Sequence, residues 1–194
     1  MINMDTASPK LRFGSPSRVK SDRRGTLFGH LVVSSEGHEK DSLRMSLLEC
    51  ENSLKDPGVE NPEAVHNNMA NVMMKLGDVK GALDHYSQAL DLTGSKDPAV
   101  LMNMGVAFKH LERWSEAVDH FRRALLIRPT ADSHYNLANT LLNSDPDGNL
   151  AEATKHYEEC LRMDPGHANA HMNLGTAMKG GGGDLDGAIV EFRR

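Results

Sequence analysis

From Asn61 onward the apolar residues fall at helical spacing, and the whole pattern then returns. Asn68-Met69-Ala70, Asn103-Met104-Gly105, Asn136-Leu137-Ala138 and Asn173-Leu174-Gly175 each open one round. Each is followed by a second motif: Ala82…Tyr86…Ala89-Leu90, Ala117…Phe121…Ala124-Leu125, Ala153…Tyr157…Cys160-Leu161, and Ala188…Phe192. The four alanines lie 35, 36 and 35 positions apart (117−82, 153−117, 188−153). A period of about 34 residues, with small residues at fixed places among apolar ones, predicts an array of helical hairpins. We place the units at roughly 63–96, 98–131, 131–167 and 168–194. Such an array offers an extended surface for holding another protein.

The polar punctuation agrees with this register. Asn61-Pro62 and Asp97-Pro98 put an N-capping side chain before a proline in the first turn. Gly77-Asp78 ends one helix and starts the next, and Asp184 stands at the same place in the last unit. Asn149, with Glu152 three residues on, reads as a capping box. Small residues are expected where the two helices of a hairpin cross: Ala70, Gly105, Ala138 and Gly175 on the first, Ala82, Ala117, Ala153 and Ala188 on the second. Tyr86, Phe121, Tyr157 and Phe192 then fill the space between units. Ser144-Asp145-Pro146-Asp147-Gly148 lengthens the turn of the third unit, and Gly180–Gly183 makes a flexible turn in the fourth. Longer turns are tolerated because closure entropy grows slowly with length.

Upstream the pattern changes. Leu43, Leu47, Cys50 and Leu54 form one apolar stripe on a helix running from Asp41 to Leu54, which Asp56-Pro57-Gly58 terminates. Its expected task, within residues 38–60, is to cover the open face of the first unit, since a solenoid needs capped ends. Residues 1–37 carry scattered single hydrophobes among Ser, Pro, Gly and Arg, so they are expected to be disordered. An organelle transit peptide and a tail phosphorylated at Ser8-Pro9 and Ser15-Pro16 are the alternatives.

Charge sharpens this division. Of the 194 residues, the first 35 hold six Lys/Arg and two Asp/Glu, a net of +4; the rest hold sixteen and twenty-five, a net of −9. An acidic body lacks the basic stripe that nucleic-acid binding requires, so no nucleic-acid partner is expected. Cys50 and Cys160 suggest no disulfide framework, and Cys160 takes the small-residue place of Ala89 and Ala124. No apolar run is long enough for membrane insertion. A cytoplasmic or nuclear setting is expected.

Leu101, Met104-Gly105, Phe108, Ala117, Phe121, Ala124 and Pro129 stand where the tetratricopeptide-repeat pattern wants aliphatic, small, aromatic and proline residues. The chain therefore resembles that family over about two thirds of its length. The resemblance implies an all-α, right-handed helix-turn-helix solenoid of four repeats, the last incomplete, occupying 61–194. It also implies that the first helix of each pair lines a concave groove for a peptide. Asn68, Asn103, Asn136 and Asn173 share one place on those helices and would stack into a ladder of amides gripping an extended backbone. The rival reading is that these amides bond to neighbouring repeats and set the pitch. Asn71, Lys75, Met102, Lys109, Tyr135 and Asn139 complete the expected peptide-binding set. With three lysines (Lys75, Lys109, Lys179) against Asp132, the groove is mildly basic, which favours a partner segment bearing negative charge.

The asparagine ladder further resembles the substrate-holding arm of O-linked N-acetylglucosamine transferases. The fourth repeat breaks off at Arg194, two residues after Phe192, so the chain reads as a piece of a longer protein in which such an enzyme domain could follow. A structural segment of a larger assembly is a further alternative. The clamp by which some members hold chaperone tails is not supported: Asn67, Asp132 and Asn136 stand where basic residues belong.

No catalytic constellation is legible, and neither a cofactor nor a metal is expected. His66, His134 and His171 share one place on first helices, and His85, His120 and His156 share one on second helices. Equivalent places on adjacent repeats lie on the order of 10 Å apart, too far to share one zinc. They are read as polar-tipped packing residues. Asp145, Asp147 and Asn149 imitate the start of a calcium loop, but His156 sits where its bidentate Glu belongs, so a turn is expected.

Overall fold

The computed structural model describes residues 27–180, with side chains from 37 to 179. The chain divides into two units, Met1–Gly37 and His38–Arg194. Eight helices, and no strand, occur among the described residues: α1 Leu27–Leu54, α2 Pro62–Leu76, α3 Val79–Leu92, α4 Pro98–His110, α5 Trp114–Ile127, α6 Ala131–Ser144, α7 Leu150–Met163 and α8 Ala168–Gly180. From α2 onward they pair as the period predicts, α2 with α3, α4 with α5 and α6 with α7. Each second helix also packs on the next first helix, α3 on α4, α5 on α6 and α7 on α8. The first helices α2, α4 and α6 touch in series, whereas α3, α5 and α7 are not close neighbours of one another. A stack whose first helices crowd together curves toward them, so they line its inner face. The expected glycine turn after Gly180, and the calls on Asp184, Ala188 and Phe192, lie outside the described residues.

The small residues do what the spacing required. Ala70, Ala82, Ala89, Ala117, Ala124, Ala138, Ala153 and Cys160 have no exposed surface, and Tyr86, Phe121 and Tyr157 are buried beside them. Gly105 shows the constraint most directly. A Cβ there would lie 2.5 Å from the Phe121 ring, so the ring rests on the backbone of α4. Gly77, at φ 87°, turns the chain between α2 and α3, and its N–H closes back on Met73 and Met74.

Some helix starts follow the sequence and others do not. The Asp97 carboxylate accepts from the N–H groups of Ala99 (2.8 Å) and Val100 (3.2 Å), and Asp78 caps through Gly81. Asn61 does not cap: it lies at φ 56°, in the left-handed region, and its side chain takes no cap bond. Pro62 already removes one of the orphan N–H groups there. The capping box at Asn149 is also absent. Its amide instead donates to Leu141 O (3.1 Å) and Ser144 Oγ (3.0 Å), tying the long turn back to the end of α6.

The first helix departs furthest from expectation. It begins at Leu27 rather than Asp41, so part of the segment expected to be disordered is helical. Leu43, Leu47, Cys50 and Leu54 do form its less exposed stripe, yet none of its described side chains is buried. It is not among the closely packed helix pairs.

Candidate functional site

Two places three residues apart, and so on one face of a first helix, meet between successive repeats: one precedes the small residue by two positions, the other follows it by one. Asn71, Asn103, Asn139 and Asn173 are placed there, half-buried, and they bond to one another in pairs. Asn103 Nδ2 donates to Asn71 Oδ1 (3.2 Å) and to Asn67 Oδ1 (3.1 Å). Asn173 Nδ2 donates to Asn139 Oδ1 at 2.7 Å. Each acceptor also takes a tyrosine hydroxyl from its own hairpin: Tyr86 donates to Asn71 Oδ1 and Tyr157 to Asn139 Oδ1, both at 2.6 Å. Burial pushes both phenols up to about 12, so they remain protonated donors.

The expected ladder of four equivalent amides is thus distributed differently. Asn103 and Asn173 are held by asparagines of the preceding repeat, as the pitch-setting alternative requires. Asn136 turns back to the backbone carbonyl of Asp132 (2.9 Å) on its own helix. Asn68 is exposed. The acceptors stand three residues on, where the Asn71 and Asn139 oxygens take both a tyrosine hydroxyl and the amide of the next repeat. Lys75 is exposed at the end of α2, and Met102 is half-buried against the core.

The remaining expected residues converge. Lys109, Tyr135, Asn139 and Asn173 line one cavity of about 520 Å³, together with Leu142 and Tyr157. Its wall thus combines three successive first helices, α4, α6 and α8, with the turn after α6. Tyr135 is fixed by ring contacts to His167 (4.6 Å between centroids) and Tyr157 (6.2 Å). Burial holds the Lys109 ammonium below the usual lysine range. The cavity therefore offers an amphipathic wall, a set of amides and one cation.

The histidines sort by hairpin rather than by ladder. His66 and His85 meet through their Nδ1 atoms at 2.9 Å, and so do His134 and His156. Each pair joins the two helices of one repeat, a meeting that reading successive equivalent places could not reveal. Burial first, and the facing His85 second, hold His66 below the ordinary range. Among the described residues no group of three or more His, Cys, Asp or Glu side chains is placed to hold a metal. No helix among them is long and apolar enough to cross a membrane.

Comparison with known proteins agrees with this architecture. Two family models, both for the tetratricopeptide repeat, match residues 62–128 and 131–167. The chain is 25% identical over 103 residues to the tetratricopeptide repeat-containing protein trd-1 of Caenorhabditis elegans, covering 53% of this chain and 13% of that one. It is 27% identical over 96 residues to the peroxisomal targeting signal receptor of Eremothecium gossypii, covering 49% of this chain and 16% of the receptor. It therefore corresponds to well under a quarter of the length of either relative. Among solved structures, MamA superposes with a TM-score of 0.68 at 22% identity, covering 81% of this chain and 89% of MamA. YrrB, described as having an unusual peptide-binding site, gives 0.63 at 22% identity over 84% and 82%. The first repeat domain of Spaghetti (RPAP3), bound to the HSP90 peptide SRMEEVD, gives 0.57 at 20% identity over 61% and 91%. At these identities the superpositions speak for the fold, and the matched models speak for the lineage. Through residues 62–167 the chain belongs to the tetratricopeptide-repeat family.

Proposed function

We propose that this chain is a protein–protein interaction scaffold that seats an extended peptide segment of a partner protein along the inner face of its repeats. The observation that carries this reading is the cavity between α4, α6 and α8, where Lys109, Tyr135, Asn139 and Asn173 meet. Its chemistry suits a peptide. Amides complement backbone N–H and C=O groups, while Tyr135 and Leu142 supply apolar contact. Support also comes from the similar structures described with a bound peptide or a peptide-binding site. Asn68, Asn71, Lys75, Met102, Asn103 and Asn136 extend the proposed contact surface along α2, α4 and α6. We place this binding in a cytoplasmic or nuclear setting, and we assign the described residues no catalytic step.

The idea of a substrate-selecting arm of a larger O-linked N-acetylglucosamine transferase rested on four equivalent amides facing a peptide. Two of them are engaged between repeats and a third with its own helix. The scaffold reading does not depend on that equivalence and stands ahead of it. The test is selection of unstructured peptides on the full chain, followed by Tyr135→Ala combined with Leu142→Ala. Retained peptides should lose about tenfold or more in affinity, with helicity unchanged by circular dichroism. Equal retention by the double variant would place the binding surface elsewhere.

A further inference from the structure

We propose that Lys109 marks a receptor place for a side-chain carboxylate, so that the bound segment carries an Asp or Glu opposite the end of α4. This rests on the groove reading above and specifies what the groove selects.

Four of the chain's arginines are offset by carboxylates of its own. Arg44, Arg113, Arg122 and Arg162 each hold a carboxylate of this chain, with Asp41, Glu116, Glu152 and Glu159 respectively. All four arginines are largely solvated. Lys109 is half-buried on the wall of the cavity, yet no carboxylate lies within 4.0 Å of it among the described residues, and its ammonium makes no hydrogen bond there. A cation withdrawn from water without a counter-charge is in the costly arrangement. An incoming carboxylate would restore what burial has removed.

The neighbouring groups favour the same ligand. The Asn139 oxygen already accepts two bonds, from Tyr157 and Asn173, which leaves its NH₂ end as the group able to reach a ligand. The Thr176 hydroxyl, also on the wall, spends its proton on Met172 O at 2.9 Å and offers no donor. The Lys109 ammonium and the Asn139 NH₂ are thus the donors on which the assignment rests, and both suit an ionised carboxylate, which is acceptor-only. One acid is present, Asp147, exposed in the turn between α6 and α7 and not paired with Lys109. It narrows the cationic region to the α4 side.

The position also decides the source of the carboxylate. First helices lie on both sides of Lys109, α2 before it and α6 and α8 after it. A segment crossing α4 continues in both directions, so the charge is supplied by a side chain within the segment and not by its C-terminus. This place differs from the chaperone-tail clamp, whose basic positions are here Asn67, Asp132 and Asn136.

The experiment uses the full chain and a library of C-terminally amidated nonapeptides, with the same library carrying free C-termini as the second arm. Asp or Glu should be enriched at one internal position in both arms. A selected acidic peptide should lose about tenfold in affinity on Lys109→Met, keep most of it on Lys109→Arg, and gain several-fold on Asp147→Asn. Enrichment only with free C-termini would transfer the site to a terminal carboxylate and overturn the assignment. Peptides selected without acidic preference, or binding indifferent to both Lys109→Met and Asp147→Asn, would overturn it while leaving the groove reading intact. Failure to retain any peptide would remove both.

Discussion

At the residue scale the repeats alternate. The place after the small residue of the first helix holds Asn71, Val106, Asn139 and Thr176, and the aromatic of the second helix is Tyr86, Phe121, Tyr157 and Phe192. Where the ring carries a hydroxyl, an asparagine accepts from it; where the ring is bare, Val106 stands opposite in the second repeat. The small residue alternates too, Ala70 and Ala138 against Gly105 and Gly175. A buried hydroxyl needs a partner, and a bare ring can instead settle on backbone. Tyr86→Phe should cost about 1 kcal/mol in chemical denaturation. With Asn71→Val added, the total should fall short of the sum of the two single costs by about 0.5 kcal/mol or more. Strict additivity would mean the hydroxyl and amide are independent. Gly105→Ala should cost about 1–3 kcal/mol, because its Cβ meets the Phe121 ring and that ring has no exposed side toward which to move. A melting temperature unchanged by this substitution would refute the close approach.

At the element scale each hairpin of the first and third repeats is joined by a histidine pair. Two Nδ1 atoms at 2.9 Å share one proton, and protonating both would set two donors and two charges against each other. Burial is the first cause holding His66, His120, His134 and His156 below the ordinary histidine range. Around the second pair, Glu159 and Glu152 oppose that shift while Arg162 and Arg122 add to it. The sign follows from linkage. As pH falls below the ordinary value of about 6.5, the unfolded chain takes up protons before the folded one does. Stability is therefore full above that value and declines on acidification until the lowered folded values are passed. Melting temperatures measured between about pH 7.5 and 5.5 should fall toward the acid end. His66→Leu, which places in the first repeat the residue that Leu101 supplies in the second, should flatten the decline. A steeper decline in that variant would reverse the assignment. The first helix makes a second prediction at this scale. Its described part buries no side chain, whereas α4 contributes Val100, Leu101, Met104, Gly105, Ala107 and Phe108 to the core. Amide exchange should be fast from His38 to Leu54 and slowest in α4. Equal protection would overturn this contrast between α1 and α4.

At the scale of the whole array, stability is the sum of hairpins and their nearest-neighbour contacts. The second repeat has packed neighbours on both sides, through α3–α4 and α5–α6. Phe121→Ala should therefore cost about 3–5 kcal/mol and loosen the flanking repeats as well. Amide exchange confined to α4 and α5 in that variant would show that the repeats fold independently.

What could be read beforehand follows from these scales. The period, the small residues at Ala82, Ala117 and Ala153, and the cap at Asp97 are local or strictly repeating properties, and the sequence alone determined them. It determined the hairpin fold as well, whereas an inner-face place for Lys109, Tyr135 and Asn139 was only what the family resemblance implied. The alternation of Asn-Tyr with Val-Phe was also visible there, but a repeat reading weighs what successive units share and passes over what they exchange. Tertiary structure decided which acceptor each amide takes and that His66 meets His85 instead of its equivalents. The physical reason is the range of the forces involved. Helical spacing and caps are settled within a few residues of the chain. A hydrogen bond between Asn103 and Asn71, 32 residues apart, exists only once two hairpins have stacked at a particular distance and angle.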